Sequence, residues 1–176
     1  SELKKIWAPG SSVNNWNQIR ASFPNRLLAL YGPDTDSGTF DYFTEVITGK
    51  AKVSRADYTA SADDNVLVQG VAGDRNALGY FGYAYYAENP GKLKLVAVDQ
   101  EKGAGCVLPT PETIENGTYT PLSRPIFIYV SKKSLSRPEV KEFVKFYLEN
   151  APELVKEVGY IPLPAAKYQE GLSKTR

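Results

Sequence analysis

The chain has 176 residues, 42% of them hydrophobic, and its 21 Lys+Arg against 20 Asp+Glu leave a net charge of +1. This suits one ordinary globular domain or a piece of a two-domain protein, with no net field to draw in nucleic acid or an anionic membrane. The absence of His, with Cys106 as the single cysteine, excludes Ser-His and Cys-His pairs, histidine metal sites, an intrachain disulfide and a Cys-rich zinc site. No stretch approaches the roughly 20 apolar residues of a membrane helix, so no membrane insertion of this chain is expected. No charged-then-apolar leader opens it. With no Met present, the sequence is expected to be part of a longer gene product.

In chain order, Glu2 to Trp7 reads as a short helix ending before Pro9-Gly10. The apolar run Leu27-Leu28-Ala29-Leu30-Tyr31 reads as a strand buried on both faces, as in a parallel sheet, stopped by Gly32-Pro33-Asp34. A helical stripe of Phe40, Phe43, Val46 and Ile47 begins at Gly38 and ends at Gly49. Asp63-Asp64-Asn65 caps a helix with Val66, Leu67 and Val71 on one side. Ala77 to Phe81 is expected as a second buried strand, Gly82 to Tyr86 as a helical turn leaving it, and Leu93 to Val98 as a further strand. Pro111 starts a short helix capped by Thr110. Pro125 to Val130 is the strongest strand signal of the chain. After Pro138, Val140, Phe143, Val144, Tyr147 and Leu148 repeat at helical spacing, and Pro152 is expected to break the segment and open a second helix that Gly159 ends. Pro162-Leu163-Pro164 makes a turn before a last short helix through Leu172. Strands alternating with helices predict an α/β fold, a mixed and mostly parallel sheet flanked by helices.

The stretch that carries chemistry is Tyr31-Gly32-Pro33-Asp34-Thr35-Asp36-Ser37-Gly38-Thr39-Phe40, a buried strand running through a polar loop into a helix. A helix N-terminus offers unpaired N–H groups and the positive end of its dipole, Gly38 lets an anion approach the backbone, and the hydroxyls of Ser37 and Thr39 can donate. Together they would hold a tetrahedral oxyanion at the carboxyl end of a parallel strand. The same residues serve equally as an ordinary N-cap and first turn. The Asp63-Asp64 pair lacks the alternating oxygens of a calcium loop and reads as a cap, so no metal site is expected.

The chain resembles the second half of a periplasmic phosphate-binding protein of the ABC-transport type, in its cyanobacterial-like branch. The resemblance rests on Leu3-Lys4-Lys5-Ile6-Trp7 with Trp16-Asn17, on Asp36-Ser37-Gly38-Thr39-Phe40-Asp41-Tyr42-Phe43, on Ala77-Leu78-Gly79-Tyr80-Phe81-Gly82-Tyr83, and on Tyr119 to Tyr129 with Pro121-Leu122-Ser123-Arg124-Pro125 inside. It implies a type II binding-protein lobe over residues 1–125 and a strand and helices over 126–176 that return toward a first lobe absent from the chain. It also implies that Ser37, Gly38 and Thr39 donate to bound phosphate. Two positions depart from the family pattern: its Arg four residues before the Ser is Pro33 here, and its Asp two before the Ser is Thr35, flanked by Asp34 and Asp36. Arg55 is the candidate replacement cation, with a surface Arg paired to Asp57 or Asp63 as the competing role. Asp36, and after it Asp34, is the candidate to accept the proton of a partly protonated phosphate and so to reject sulfate.

The function implied is the substrate-binding component of a phosphate ABC transporter. It would be periplasmic, would hand inorganic phosphate to a membrane permease, and would need neither cofactor nor nucleic acid. Two alternatives stand beside it. One is an interaction or adhesion protein with a vestigial anion pocket. The other is a Ser37-dependent transferase or hydrolase, which would need a Lys or carboxylate base, since Phe40 stands where a Ser-x-x-Lys motif would place its Lys.

Overall fold

The computed structural model describes residues 1–103 and 105–175, and it divides into two compact units, Ser1–Lys94 and Leu95–Arg176.

The first unit is an α/β layer. Its strands are β1 (Ala29–Pro33), β2 (Thr59–Ser61) and β3 (Ala77–Gly79), in the order β2-β1-β3 and all parallel. The helices are α1 (Glu2–Trp7), α2 (Gly38–Thr48), α3 (Asp64–Gly73) and α4 (Tyr83–Ala87). The chain leaves β1 through α2 to β2 on one side, then crosses back through α3 to β3 on the other. Right-handed crossovers therefore put α2 and α3 on opposite faces of the sheet. Side-chain alternation along β1 agrees. Tyr31 turns its ring against Gly70 of α3, whereas the next residue, Gly32, faces Tyr80 and Tyr58. The core on that second face is aromatic: Trp7 meets Phe43, Tyr58 and Tyr80 edge-on at 5.7, 5.5 and 4.9 Å between centroids, and Phe43 stacks on Tyr80 at 3.7 Å. Gly32 is required here, because a Cβ at that position would stand 2.7 Å from Cε1 of Tyr80.

Local signals set the helix ends as expected. Ser37 accepts from the N–H groups of Thr39 and Phe40, Asp63 accepts from that of Asn65, and Gly49 closes α2 in the left-handed region at φ 94°. Strand extents differ from expectation, because a strand reaches only as far as its partners do. β1 starts two residues late and takes in Gly32 and Pro33, which pair with Ala60 and Ser61. Leu27 is left 74% exposed. On α3 the core-facing pair is Leu67 and Val68, with Val66 exposed.

The second unit holds an antiparallel ribbon of β4 (Val98–Asp99) and β5 (Cys106–Val107), and the helices α5 (Pro111–Glu115), α6 (Lys132–Leu135), α7 (Pro138–Glu157) and α8 (Ala165–Ser173). Thr110 caps α5 through a reciprocal bond with Thr113. Three expectations fail in this unit. The strand over 93–98 shrinks to Val98–Asp99, the part that pairs with β5. The stretch from Pro125 to Val130 forms no strand: Ile126, Phe127, Ile128 and Tyr129 are all exposed, since among the described residues no neighbouring strand takes up their backbone groups. Pro152 does not break the helix but lies inside α7, whose 20 residues run on past it while α8 packs alongside. No helix among the described residues is long and apolar enough to cross a membrane.

Candidate functional site

In an open parallel sheet, ligands bind outside the carboxyl ends of the strands, where the strand order reverses. In the first unit that reversal lies between β1 and β3. The loop leaving β1 there is built from its own side chains. The Asp36 N–H donates to Oδ1 of Asp34 at 3.1 Å, the Ser37 N–H donates to the Asp34 carbonyl at 3.3 Å, and the Thr39 N–H donates to Oγ of Ser37 at 3.1 Å. Asp34 is thus the residue that folds the loop, while Asp36 extends into solvent.

The structure brings Ser37, Gly38 and Thr39 together on the first turn of α2, with Gly38 exposed and the two hydroxyl residues half-buried. A serine hydroxyl has two acceptor lone pairs and one proton to donate. The Thr39 and Phe40 N–H groups use the lone pairs, which leaves the Oγ–H proton for a ligand. Capping and anion binding are therefore compatible roles of one side chain. The arrangement sets hydrogen-bond donors at the positive end of a helix dipole, and the exposed Asp36 immediately precedes them in the chain.

Arg55 stands elsewhere in this scheme. It is 6% exposed and forms a two-pronged pair with Asp57, Nε to Oδ1 at 2.6 Å and Nη2 to Oδ2 at 2.7 Å. Its Nη1 donates to the carbonyls of Ile6 at 3.0 Å and Val13 at 2.7 Å. Of the two roles foreseen for Arg55, the structure displays the pairing with Asp57, though buried rather than on the surface. The guanidinium beside Asp57 holds that carboxyl below its ordinary range. Among the described residues, no group of three or more His, Cys, Asp or Glu gathers as a metal ion would need.

Sequence reasoning gave no role to Tyr58, which lies under the loop beside Tyr80. Tyr58 donates its hydroxyl to the Pro33 carbonyl at 2.9 Å, and Tyr80 lies against Gly32 with its hydroxyl buried and lacking a partner of ordinary hydrogen-bond geometry. Burial, then the nearby Asp34 carboxylate, raises the pKa of Tyr58; burial and the neighbouring Tyr58 raise that of Tyr80. The available signal was Gly32 itself, because a glycine inside a strand marks the close approach of another group.

Comparison with known proteins agrees with this architecture. Over its full length the chain is 49% identical to the protein SphX of Synechococcus elongatus, covering 52% of that relative. It is 36% identical to the phosphate-binding protein PstS of Staphylococcus haemolyticus, over 97% of this chain and 52% of that one. The chain thus spans about half the length of these curated relatives. Among solved structures, a possible phosphate binding protein from Planctomyces limnophilus superposes at a TM-score of 0.86 with 57% identity, covering 99% of this chain and 63% of that one. PstS from Borrelia burgdorferi, at 19% identity and a TM-score of 0.61 over 93% of this chain and 63% of its own, shares the fold. Residues 1–151 match the family described as the PBP superfamily domain, and with the parallel sheet and its helix-capped loop this places the chain in the PBP superfamily.

Proposed function

We propose that this chain is the part of a phosphate receptor that presents Ser37, Gly38 and Thr39 to inorganic phosphate, working outside the cytoplasmic membrane and delivering its ligand to the permease of an ABC transporter. The observation that carries the reading is the loop 34–37, folded by Asp34 so that the first turn of α2 opens at the carboxyl end of the central parallel strand. Relatives whose names say that they bind phosphate support the choice of anion. Binding needs hydrogen bonds and a dipole but no general base, which a chain without His suits. Asp36, exposed at the helix start, is the carboxylate proposed to accept the proton of hydrogen phosphate and to repel sulfate, which has none to give. Residues 126–176 are proposed to return toward a further lobe, which would close over the anion and exclude water.

Calorimetric titration tests this on two forms, this chain and the protein at the length of its relatives. The longer form is expected to bind phosphate tightly and ignore sulfate, and this chain alone to bind at about millimolar concentration, equivalent to roughly 4 kcal/mol. Ser37→Ala removes one donor and should weaken phosphate binding about tenfold in the longer form. Silence of the longer form toward phosphate overturns the reading, and submicromolar binding by this chain alone overturns the need for a second lobe.

A further inference from the structure

We infer that Tyr58 is a positioning residue of the anion loop, its hydroxyl and the Ser61 carbonyl together fixing the peptide plane from which that loop springs. The peptide in question joins Pro33 to Asp34. Its C=O accepts from the Tyr58 hydroxyl at 2.9 Å and its N–H donates to the Ser61 carbonyl at 3.2 Å, so both of its polar ends are held. The pyrrolidine ring of Pro33, itself fully buried, fixes φ on the preceding side. A plane held at three points sets the direction in which Asp34 leaves the sheet. From there each link passes to the next: Asp34 receives the N–H groups of Asp36 and Ser37, and Ser37 receives those of Thr39 and Phe40.

Tyr58 can impose this geometry because it is itself held. Its ring meets Trp7 edge-on at 5.5 Å and lies over Gly32. The strip leading to it is fastened to α1: the Arg55 N–H and the Ser54 hydroxyl both donate to the Trp7 carbonyl, and the Arg55 side chain grips Ile6 and Val13. Residues 54–58 thus form a strut with α1 at one end and the anion loop at the other. Arg55 serves the loop through this strut, by position.

The ligand in this inference rests on the phosphate reading above; the geometry does not. Tyr58→Phe keeps the ring and removes only the hydroxyl. In the protein at the length of its relatives, it is expected to weaken phosphate binding about fivefold, the worth of one hydrogen bond. It is also expected to speed deuterium exchange over residues 34–40 while α3 and β3 exchange as in the unaltered protein. A ring that merely filled space would leave the loop amides unmoved. Unchanged affinity with unchanged loop exchange overturns the inference, and so does weaker binding without faster loop exchange. If the unaltered protein shows no phosphate binding, the ligand reading fails and loop exchange alone decides: acceleration upholds the positioning role, and its absence overturns it. Should Tyr58→Phe not fold, Asp57→Asn replaces it, since Asp57 is 69% exposed and its loss only loosens the fork that anchors the strut. The same loop-specific acceleration is expected, and its absence overturns the inference.

Discussion

Arg55 and Asp57 are two residues apart, a spacing that suggests a pair but says nothing of burial. Folding places the guanidinium under α1, where the Ile6 and Val13 carbonyls satisfy it, and leaves Asp57 in water. A buried cation needs such partners, because desolvation costs several kcal/mol when they are missing. The pair has a pH signature. Hydrogen bonding to Arg55 lowers the folded pKa of Asp57 below its ordinary value near 3.8. The stability it contributes is therefore present above that value and is lost as pH falls through the lowered folded one. Urea unfolding between pH 7 and pH 2 should show Asp57→Asn less stable than the unaltered chain at neutral pH, with the gap closing in acid; a constant gap would show that the charge is not the cause. Ser37 was legible as the cap of a helix start because capping is a local property. Tyr58 was not, since its partner Pro33 is 25 residues away.

At the scale of elements, α2 begins and ends where Ser37 and Gly49 say it should, as does α5 after Thr110. α7 does not. Pro152 has no N–H to give the Leu148 carbonyl, and an interior proline costs about 3 kcal/mol or more. The helix continues because its far end has a surface to lie against: Leu148 and Pro152 line a groove with Ala165, Tyr168 and Leu172 of α8. Packing of one helix on another has outweighed a local breaker. Pro152→Ala restores the missing donor and should stabilise the second unit by about 2 kcal/mol, read as an upward shift of its thermal midpoint. An unchanged or lower midpoint would show that the proline ring contributes more through the groove than it removes from the helix.

At the scale of the whole molecule, the two units differ in how completely their sequences are used. In the first, the helices and strands bury one another around Trp7, Phe43 and Tyr80. In the second, Ile126 to Val130, apolar and rich in β-branched and aromatic residues, reaches no sheet, and Tyr129 is 93% exposed. A strand needs another strand, and the chain spans about half the length of its curated relatives. On the proposed two-lobe reading, amides 126–130 should exchange within seconds in this chain and be protected at the length of the relatives; equal exchange in both would refute a return toward a further lobe. The sequence by itself determined the α/β class, the helix caps, the Ser-Gly-Thr turn and the exclusion of histidine chemistry, because each depends on residue identity or on neighbours within a few positions. Only the tertiary structure decided how far each strand runs, that Arg55 lies buried beneath α1, that Pro152 is tolerated, and that Tyr58 holds the peptide from which the loop leaves the sheet. Those outcomes depend on partners distant in sequence, and such partners meet only when the chain folds.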